Sequence, residues 1–268
     1  MSDHEALRGG LGLPFSTLSE EEKSRIKYVI TDVDDTITRR GKLTPEALKA
    51  LWDLKLAGKT IVLLTGGSAG WADCYIRQWP VDTVIAESGA VMMGHAPDGS
   101  IVYTVNPLIK QPEVNEKKQK LMKATAGLAH SSDQYARLFD IAYDKARLSP
   151  EEIRILKNTI KLSGAYYAES SIHVNVWFAP YDKRSALEHF MKSLYNVDSQ
   201  ELRKHSVYLG DSYNDQPMFD YIPLSVGMHF IEDHRDEFQH LPLYITKGEG
   251  GVGFAEFTNE LLRKQIVI

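Results

Sequence analysis

The chain has 268 residues, 43% of them hydrophobic and 25% charged, which is the make-up of a globular protein of one large or two modest domains. Its formal net charge is −5, so a nucleic-acid partner has no electrostatic support, and no stretch approaches the roughly 20 apolar residues of a membrane helix. The single cysteine, Cys74, allows no internal disulfide and fits a reducing compartment. "MSDHEALRGGLG" lacks the apolar core of a signal peptide, and a cytoplasmic location is expected.

Taken in chain order, a polar lead-in ends in a short helix at "LSEEEKSRI". A strand follows at "KYVIT" (27–31). The next helix has Thr44 as N-cap, Pro45 in its first turn and Gly58 as its stop, with Leu48, Leu51 and Trp52 expected on one face. "TIVLLTGG" is an apolar run broken by two glycines, a helix runs from near Ser68 to Trp79-Pro80, and "DTVIAESGA" is a third short strand. Unbroken apolar strands alternating with helices indicate a parallel sheet covered on both faces.

The pattern changes after residue 91. Residues 91–105 read as a hairpin turning at "PDG", residues 113–129 as a lysine-rich helix, and "YARLFDIAYD" as an alternating strand. "SPEEIRILKNTIKLSG" carries Ser149 as cap, Pro150 and a terminal Gly164, and "SIHVNVWF" alternates again. The parallel pattern then resumes with the helix "KRSALEHFMKSLYN", the strand "HSVYLGDS", the turn "DQPMFDYI", the strands "PLSVGM" and "LYIT", and the helix "FAEFTNELLRK". The expected organisation is an α/β core of residues 1–90 and 180–268 with a small α+β domain, 91–179, inserted.

Three strands end in polar loops: Asp32-Val33-Asp34-Asp35-Thr36, Thr65-Gly66-Gly67-Ser68 and Gly210-Asp211-Ser212-Tyr213-Asn214-Asp215. Open parallel sheets bind ligands at the carboxyl ends of their strands. Neighbouring strands would gather Asp32, Asp34, Asp211 and Asp215, a hard-oxygen set suited to Mg²⁺, which in turn favours a phosphorylated ligand. Thr65 and its glycines offer a hydroxyl and open N–H groups for phosphate, and Lys183 is the best-placed cation. "GEGGVG" (248–253) fits the dinucleotide pattern G-x-G-x-x-G, but no βαβ unit or acidic residue follows at the right distance, so a tight structural loop is expected there.

These residues resemble the haloacid dehalogenase (HAD) superfamily of phosphohydrolases. "DVDDT" matches its first motif, "LLTGG" the second, Lys183 in "YDKRSAL" the third and "GDSYND" the fourth, in order. The insert between the second and third resembles the type IIB cap found in sucrose-phosphate, trehalose-phosphate and mannosyl-3-phosphoglycerate phosphatases and in phosphomannomutases. The resemblance implies a Rossmann-like core with an inserted α+β cap. Two departures stand out: Gly67 where many relatives have arginine (TGR), and Ser88 where many have asparagine (ENGA).

By that resemblance Asp32 is the nucleophile and Asp34 the general acid and base. Asp32, the Asp34 carbonyl, Asp211 and Asp215 hold Mg²⁺; Thr65, Gly66 and Lys183 hold phosphate; Asn214 supports the site. Strand alternation places His173, Asn175 and Trp177 on the face opposite Ile172, Val174 and Val176, as candidates for the leaving group, with Arg137 and Asp140 behind them. The implied activity is Mg²⁺-dependent hydrolysis of a small phosphorylated metabolite, foremost a sugar phosphate, by a monomer or homodimer. A phosphomutase and a non-catalytic phosphometabolite sensor are the alternatives. A two-component receiver is excluded, because its phosphoacceptor position carries Glu87-Ser88-Gly89 here.

Overall fold

The computed structural model describes residues 12–263 apart from Pro97 and Ser171. The chain forms two compact units: Met1–Leu63 with Trp79–Asp82 and Met191–Ile268, and Leu64–Gln78 with Thr83–Phe190. Among the described residues, no helix is long and apolar enough to cross a membrane.

The first unit opens with α1 (Glu20–Arg25), capped by Ser19 with Glu22 reaching back to the Ser19 N–H. Strand β1 (Tyr28–Thr31) follows, then the small hairpin β2 (Thr38–Arg39) and β3 (Lys42–Leu43). The hairpin turns on Arg40 and Gly41, both at positive φ, as a two-residue turn of the primed class demands. Next come α2 (Pro45–Leu56) and β4 (Thr60–Leu64). The later part carries α7 (Ser199–His205), β11 (Ser206–Gly210), α8 (Gln216–Tyr221), β12 (Ser225–Gly227), α9 (Phe230–Asp233), β13 (Tyr244–Ile245) and α10 (Gly250–Leu262).

The strands run parallel in the order β13-β12-β11-β1-β4. Strand β1 is central: Thr31 pairs with Leu209 of β11 on one side and Leu63 of β4 on the other. Val29, Ile30, Ile61, Val62, Leu63, Val207 and Leu209 are wholly buried, which explains why these strands read as unbroken apolar runs. Each such side chain contributes roughly 1.5–3 kcal/mol on burial, and the central strands are thereby fixed in register.

Helix α2 packs on α10, and here two expectations are corrected. Of Leu48, Leu51 and Trp52 only Leu51 is buried; Leu48 is 37% and Trp52 51% exposed. The buried stripe is Ala47, Ala50, Leu51 and Leu54. Small residues face α10 because the chains approach closely there: a Cβ on Gly251 would lie 2.4 Å from Thr44 Oγ1 and 2.8 Å from the Ala47 Cβ. The "GEGGVG" stretch is accordingly not a free-standing loop, since Gly250, Gly251 and Gly253 form the first turn of α10.

The second unit holds α3 (Ala69–Gln78), β5 (Thr83–Ala86), β6 (Val91–His95), β7 (Ile101–Val105), α4 (Gln111–Ala124), β8 (Ile141–Asp144), α5 (Pro150–Ser163), β9 (Tyr166–Glu169), β10 (His173–Trp177) and the start of α6 (Lys183–Tyr195). Strands β5, β6 and β7 pair antiparallel, and a separate antiparallel sheet has the order β8-β10-β9. Helix α5 follows its expected signals, with a capping box from Ser149 and Glu152 and a left-handed Gly164 at its end. The alternation of "YARLFDIAYD" yields only the four residues of β8 as strand, because the N–H groups of Leu138, Phe139 and Asp140 donate to the Glu87 carboxylate instead of a ladder.

Substituting Gly251→Val should lower stability by about 1–3 kcal/mol through overpacking against the Ile37 carbonyl and Thr44. Gly58→Asn, at φ +74° with nothing within 4 Å of a Cβ, should stay within about 1 kcal/mol of the wild type. Urea denaturation of the two variants checks both.

Candidate active site

The loops after β1 and β11 leave neighbouring parallel strands, and the Asp32 N–H extends their ladder by donating to Leu209 O at 2.9 Å. Asp32, Asp211 and Asp215 are all buried, and each offers a carboxylate oxygen within 4.8 Å of the other two. Asp215 is seated from behind. Its Oδ1 accepts from the Tyr208 hydroxyl at 2.5 Å, and its Oδ2 accepts from the N–H groups of Asp211 and Ser212 at 3.1 and 3.2 Å. A Cβ on Gly210 would lie 2.6 Å from the Asp215 Cγ, so the strand must end in glycine for this carboxylate to fit. The Thr36 hydroxyl donates to Asp211 Oδ1 at 3.1 Å.

Burial drives the Asp211 carboxyl well above the usual carboxylate range, and the charges of Asp215, Asp32 and Asp35 add to the rise, against the Thr36 hydrogen bond. Burial likewise raises the Tyr208 phenol, which keeps it a donor to Asp215. So crowded an all-oxygen set fits a hard divalent cation, which would relieve the repulsion. Asp32, Asp211 and Asp215 are the side chains placed to hold it.

Asp34 is half-buried in the turn after β1, and its carboxylate is not one of the three gathered oxygens. Asp35, at φ +53°, accepts from the Arg40 N–H at 2.9 Å, which makes it the brace of the β2–β3 hairpin. Asn214 is half-buried and accepts from the Ser212 hydroxyl at 2.7 Å.

Thr65, Gly66 and Lys183 belong to the second unit. Thr65 is buried directly after β4, and its hydroxyl accepts from the Gly67 N–H at 2.9 Å. Lys183 is buried at the first position of α6, whose start is capped by Asp182 accepting from the Ser185 N–H at 2.7 Å.

The alternate face of β10 is not solvated. Asn175 is 3% exposed and Trp177 is packed between Tyr166 and Tyr181, with its Nε1 donating to Tyr181 O at 2.8 Å. His173 is half-buried at the strand's start, its pKa lowered first by burial and then by Arg137. The Asn175 amide donates to Gly66 O at 2.9 Å and to Asp140 Oδ2 at 3.2 Å. Arg137, whose side chain is wholly buried, pairs with Asp140 at 2.8 Å and Asp133 at 3.1 Å.

Glu87 is the residue that sequence reasoning passed over. Its buried carboxylate accepts from the N–H groups of Ala69, Leu138, Phe139 and Asp140 at 2.7–3.1 Å. The only signal was a glutamate directly after a buried strand. Thr36 and Tyr208 were also passed over; their roles depend on which carboxylates they face. Burial pushes Asp140 up to about 7; Arg137 pulls it down and the Glu87 charge raises it.

No protein-family model matches the chain, and no curated protein does. Solved structures do. A haloacid dehalogenase-like hydrolase from B. subtilis shares 16% identity over 88% of this chain and 100% of that one, with a TM-score of 0.63. A protein of the haloalkanoate (HAD) superfamily phosphatases from Bacteroides thetaiotaomicron shares 19% over 92% and 98%, with a TM-score of 0.61. The sucrose-phosphatase of Synechocystis, solved with sucrose and phosphate, shares 17% over 87% and 97%, with a TM-score of 0.60. The chain therefore has the fold of the HAD hydrolases.

If the three carboxylates hold a cation, Mg²⁺ should raise the melting temperature of the wild type and leave Asp211→Asn unmoved. In EDTA, Asp211→Asn should melt no lower than the wild type, because it removes one of the crowded carboxyl groups and keeps an oxygen for the Thr36 hydroxyl; calorimetry with and without Mg²⁺ reads both. The raised Asp140 carboxyl sets a pH window. Its stabilising effect is full below the unfolded carboxylate pKa of about 4 and is lost as pH rises through about 7. The melting temperature of the wild type relative to Asp140→Asn should thus fall from pH 5 to pH 8.

Proposed function

We propose that the protein is a Mg²⁺-dependent phosphatase that hydrolyses a small phosphorylated metabolite, foremost a sugar phosphate, through an aspartyl phosphate on Asp32. The observation that carries this reading is the buried trio Asp32, Asp211 and Asp215 at the ends of two adjacent parallel strands. The fold shared with HAD hydrolases, the sucrose-phosphatase among them, supports it. In this reading residues 1–90 and 180–268 form the core and residues 91–179 the cap.

The Asp32 carboxylate attacks phosphorus, and the bond from phosphorus to the alcohol oxygen breaks while Asp34 gives its proton to that oxygen. Asp34 then takes a proton from water, the water oxygen attacks phosphorus, and the bond to Asp32 breaks to release inorganic phosphate. Thr65, Gly66 and Lys183 are the phosphate-binding residues, Asp215 and Asn214 hold the fourth-motif loop, and Asp32, the Asp34 carbonyl, Asp211 and Asp215 would hold the cation. When bound, Mg²⁺ supplies charge neutralisation between the nucleophile and the phosphoryl oxygens. The first-unit hydrogen bonds from Tyr208, Thr36 and the Asp211 and Ser212 amides orient the Asp211 and Asp215 carboxylates, which is the preorganisation such chemistry needs.

Phosphate release from sugar phosphates, glycolytic esters and nucleotides in Mg²⁺ tests the reading. The wild type should turn over at least one class, and Asp32→Asn should lose on the order of 10³-fold or more in kcat with an unchanged circular dichroism spectrum. Normal turnover by Asp32→Asn refutes the nucleophile assignment, and isomerisation of a sugar phosphate with little phosphate release identifies a mutase instead.

A further inference from the structure

Every carbonyl of the Thr65–Gly67 turn is held by a donor of the second unit. Thr65 O accepts from the Ser88 N–H at 3.1 Å and Gly67 O from the Glu87 N–H at 2.9 Å. Gly66 O accepts from two side chains, Arg137 Nη1 at 3.0 Å and Asn175 Nδ2 at 2.9 Å. A carbonyl oxygen has two lone pairs, so these two donors saturate it. In a trans peptide the N–H lies antiparallel to the preceding C=O. Anchoring the three carbonyls therefore sets the direction of the Gly66, Gly67 and Ser68 amides as well.

The two side chains on Gly66 O belong to one buried network. Asp140 accepts from Arg137 Nη1 with both oxygens, at 3.1 and 2.8 Å, and from Asn175 Nδ2 at 3.2 Å. Asp133 accepts from Arg137 Nε and Nη2 at 3.1 and 3.2 Å. The loop that carries Arg137 and Asp140 is in turn fixed by Glu87, which accepts from the Leu138, Phe139 and Asp140 amides. The Nε and Nη1 hydrogens of Arg137 and both amide hydrogens of Asn175 are thus engaged inside the protein, and neither side chain is open to solvent. Contact is close: a Cβ on Gly66 would lie 3.2 Å from Asn175 Oδ1. A leaving group that reached Arg137 Nε or Nη1, or the amide hydrogens of Asn175, would have to break this network. The turn has glycine at position 67, where the resemblance leads one to expect arginine, and the guanidinium that reaches its Gly66 carbonyl is that of Arg137.

We propose that Arg137, Asp140 and Asn175 are positioning residues that fix the Thr65–Gly67 turn for a phosphoryl group, and that they do not contact the leaving group. The inference rests on the phosphatase reading and adds to it the device that orients its phosphate-binding turn. It differs in consequence from a specificity role. A defect in the turn weakens every phosphate ester alike, whereas a lost leaving-group contact weakens only the ester that makes it.

The test compares Asn175→Ala and Arg137→Lys with the wild type on p-nitrophenyl phosphate, a hexose 6-phosphate and a nucleoside monophosphate, with inorganic phosphate as inhibitor. The expected result is a fall of about tenfold or more in kcat/KM, by a common factor for all three esters. The inhibition constant of inorganic phosphate should rise in step. That constant does not depend on how much of the variant is folded, so a merely structural role would leave it unmoved. A loss confined to one ester, or an unchanged inhibition constant, overturns the proposal. Should either variant fail to fold, Asp140→Asn takes its place, since it alters the carboxylate that holds Arg137 and Asn175 and leaves the turn's own residues intact, and the same uniform loss is expected. If the wild type hydrolyses none of the esters, the phosphatase reading fails by itself. Calorimetric titration with inorganic phosphate then decides the present point: weaker binding by the variants sustains it, and equal binding or no binding by the wild type overturns it.

Discussion

Three carboxylates shielded from water within 4.8 Å of one another are the constraint around which the first unit is arranged. Like charges in a poorly solvated place repel strongly, and burial alone already disfavours ionisation. The fold meets the repulsion with donors. Tyr208 and two backbone amides take the lone pairs of Asp215, and Thr36 takes one of Asp211. Those donors come from β11 itself and from the two loops, so the same strands that bury the hydrophobic core also supply the counter-dipoles. The arrangement lowers the repulsion without removing it, and the remaining negative potential suits the trio to a cation.

A second buried carboxylate organises the second unit by the opposite means. Glu87 faces four backbone amides, a number that suffices for a lone carboxylate without any ion. Glu87 and Ser88 both sit at positive φ, a conformation that L-residues hold only when the surroundings fix it. The amides of these same two residues hold the Gly67 and Thr65 carbonyls. Strain in one loop is thereby tied to order in another. The second compact unit accordingly takes in residues 64–78 and 83–190.

What could be read from the sequence follows from the range of the forces involved. That Asp32 and Asp211 lie close together was legible because each directly follows a buried apolar strand and parallel pairing brings such ends together; Asp215 follows in the same loop as Asp211. The capping signals of α2 and α5 were legible because they act within four residues. The buried face of α2 was not. It depends on how closely α10 approaches, which is set by glycines some 200 positions away in the chain, and a periodicity argument weighs large residues such as Trp52 over small ones such as Ala47. Glu87 escaped notice for a similar reason: its partners are amides, and amides carry no sequence signature. The strand reading of residues 135–140 failed on the same interaction, since amides engaged by a carboxylate are lost to a ladder.

The two halves of the candidate chemistry therefore differ in how freely sequence can drift. Around Asp211 and Asp215 the donors are two backbone amides and two hydroxyls, and Gly210 leaves room for Asp215, so few substitutions are compatible with the geometry. Around Gly66 the donors are side chains from distant segments, Arg137 and Asn175, and any pair of donors reaching that carbonyl would do the same physical work. The carboxylate cluster leaves little freedom in its surroundings, whereas the supports of the second loop act only through the donors they bring to one carbonyl.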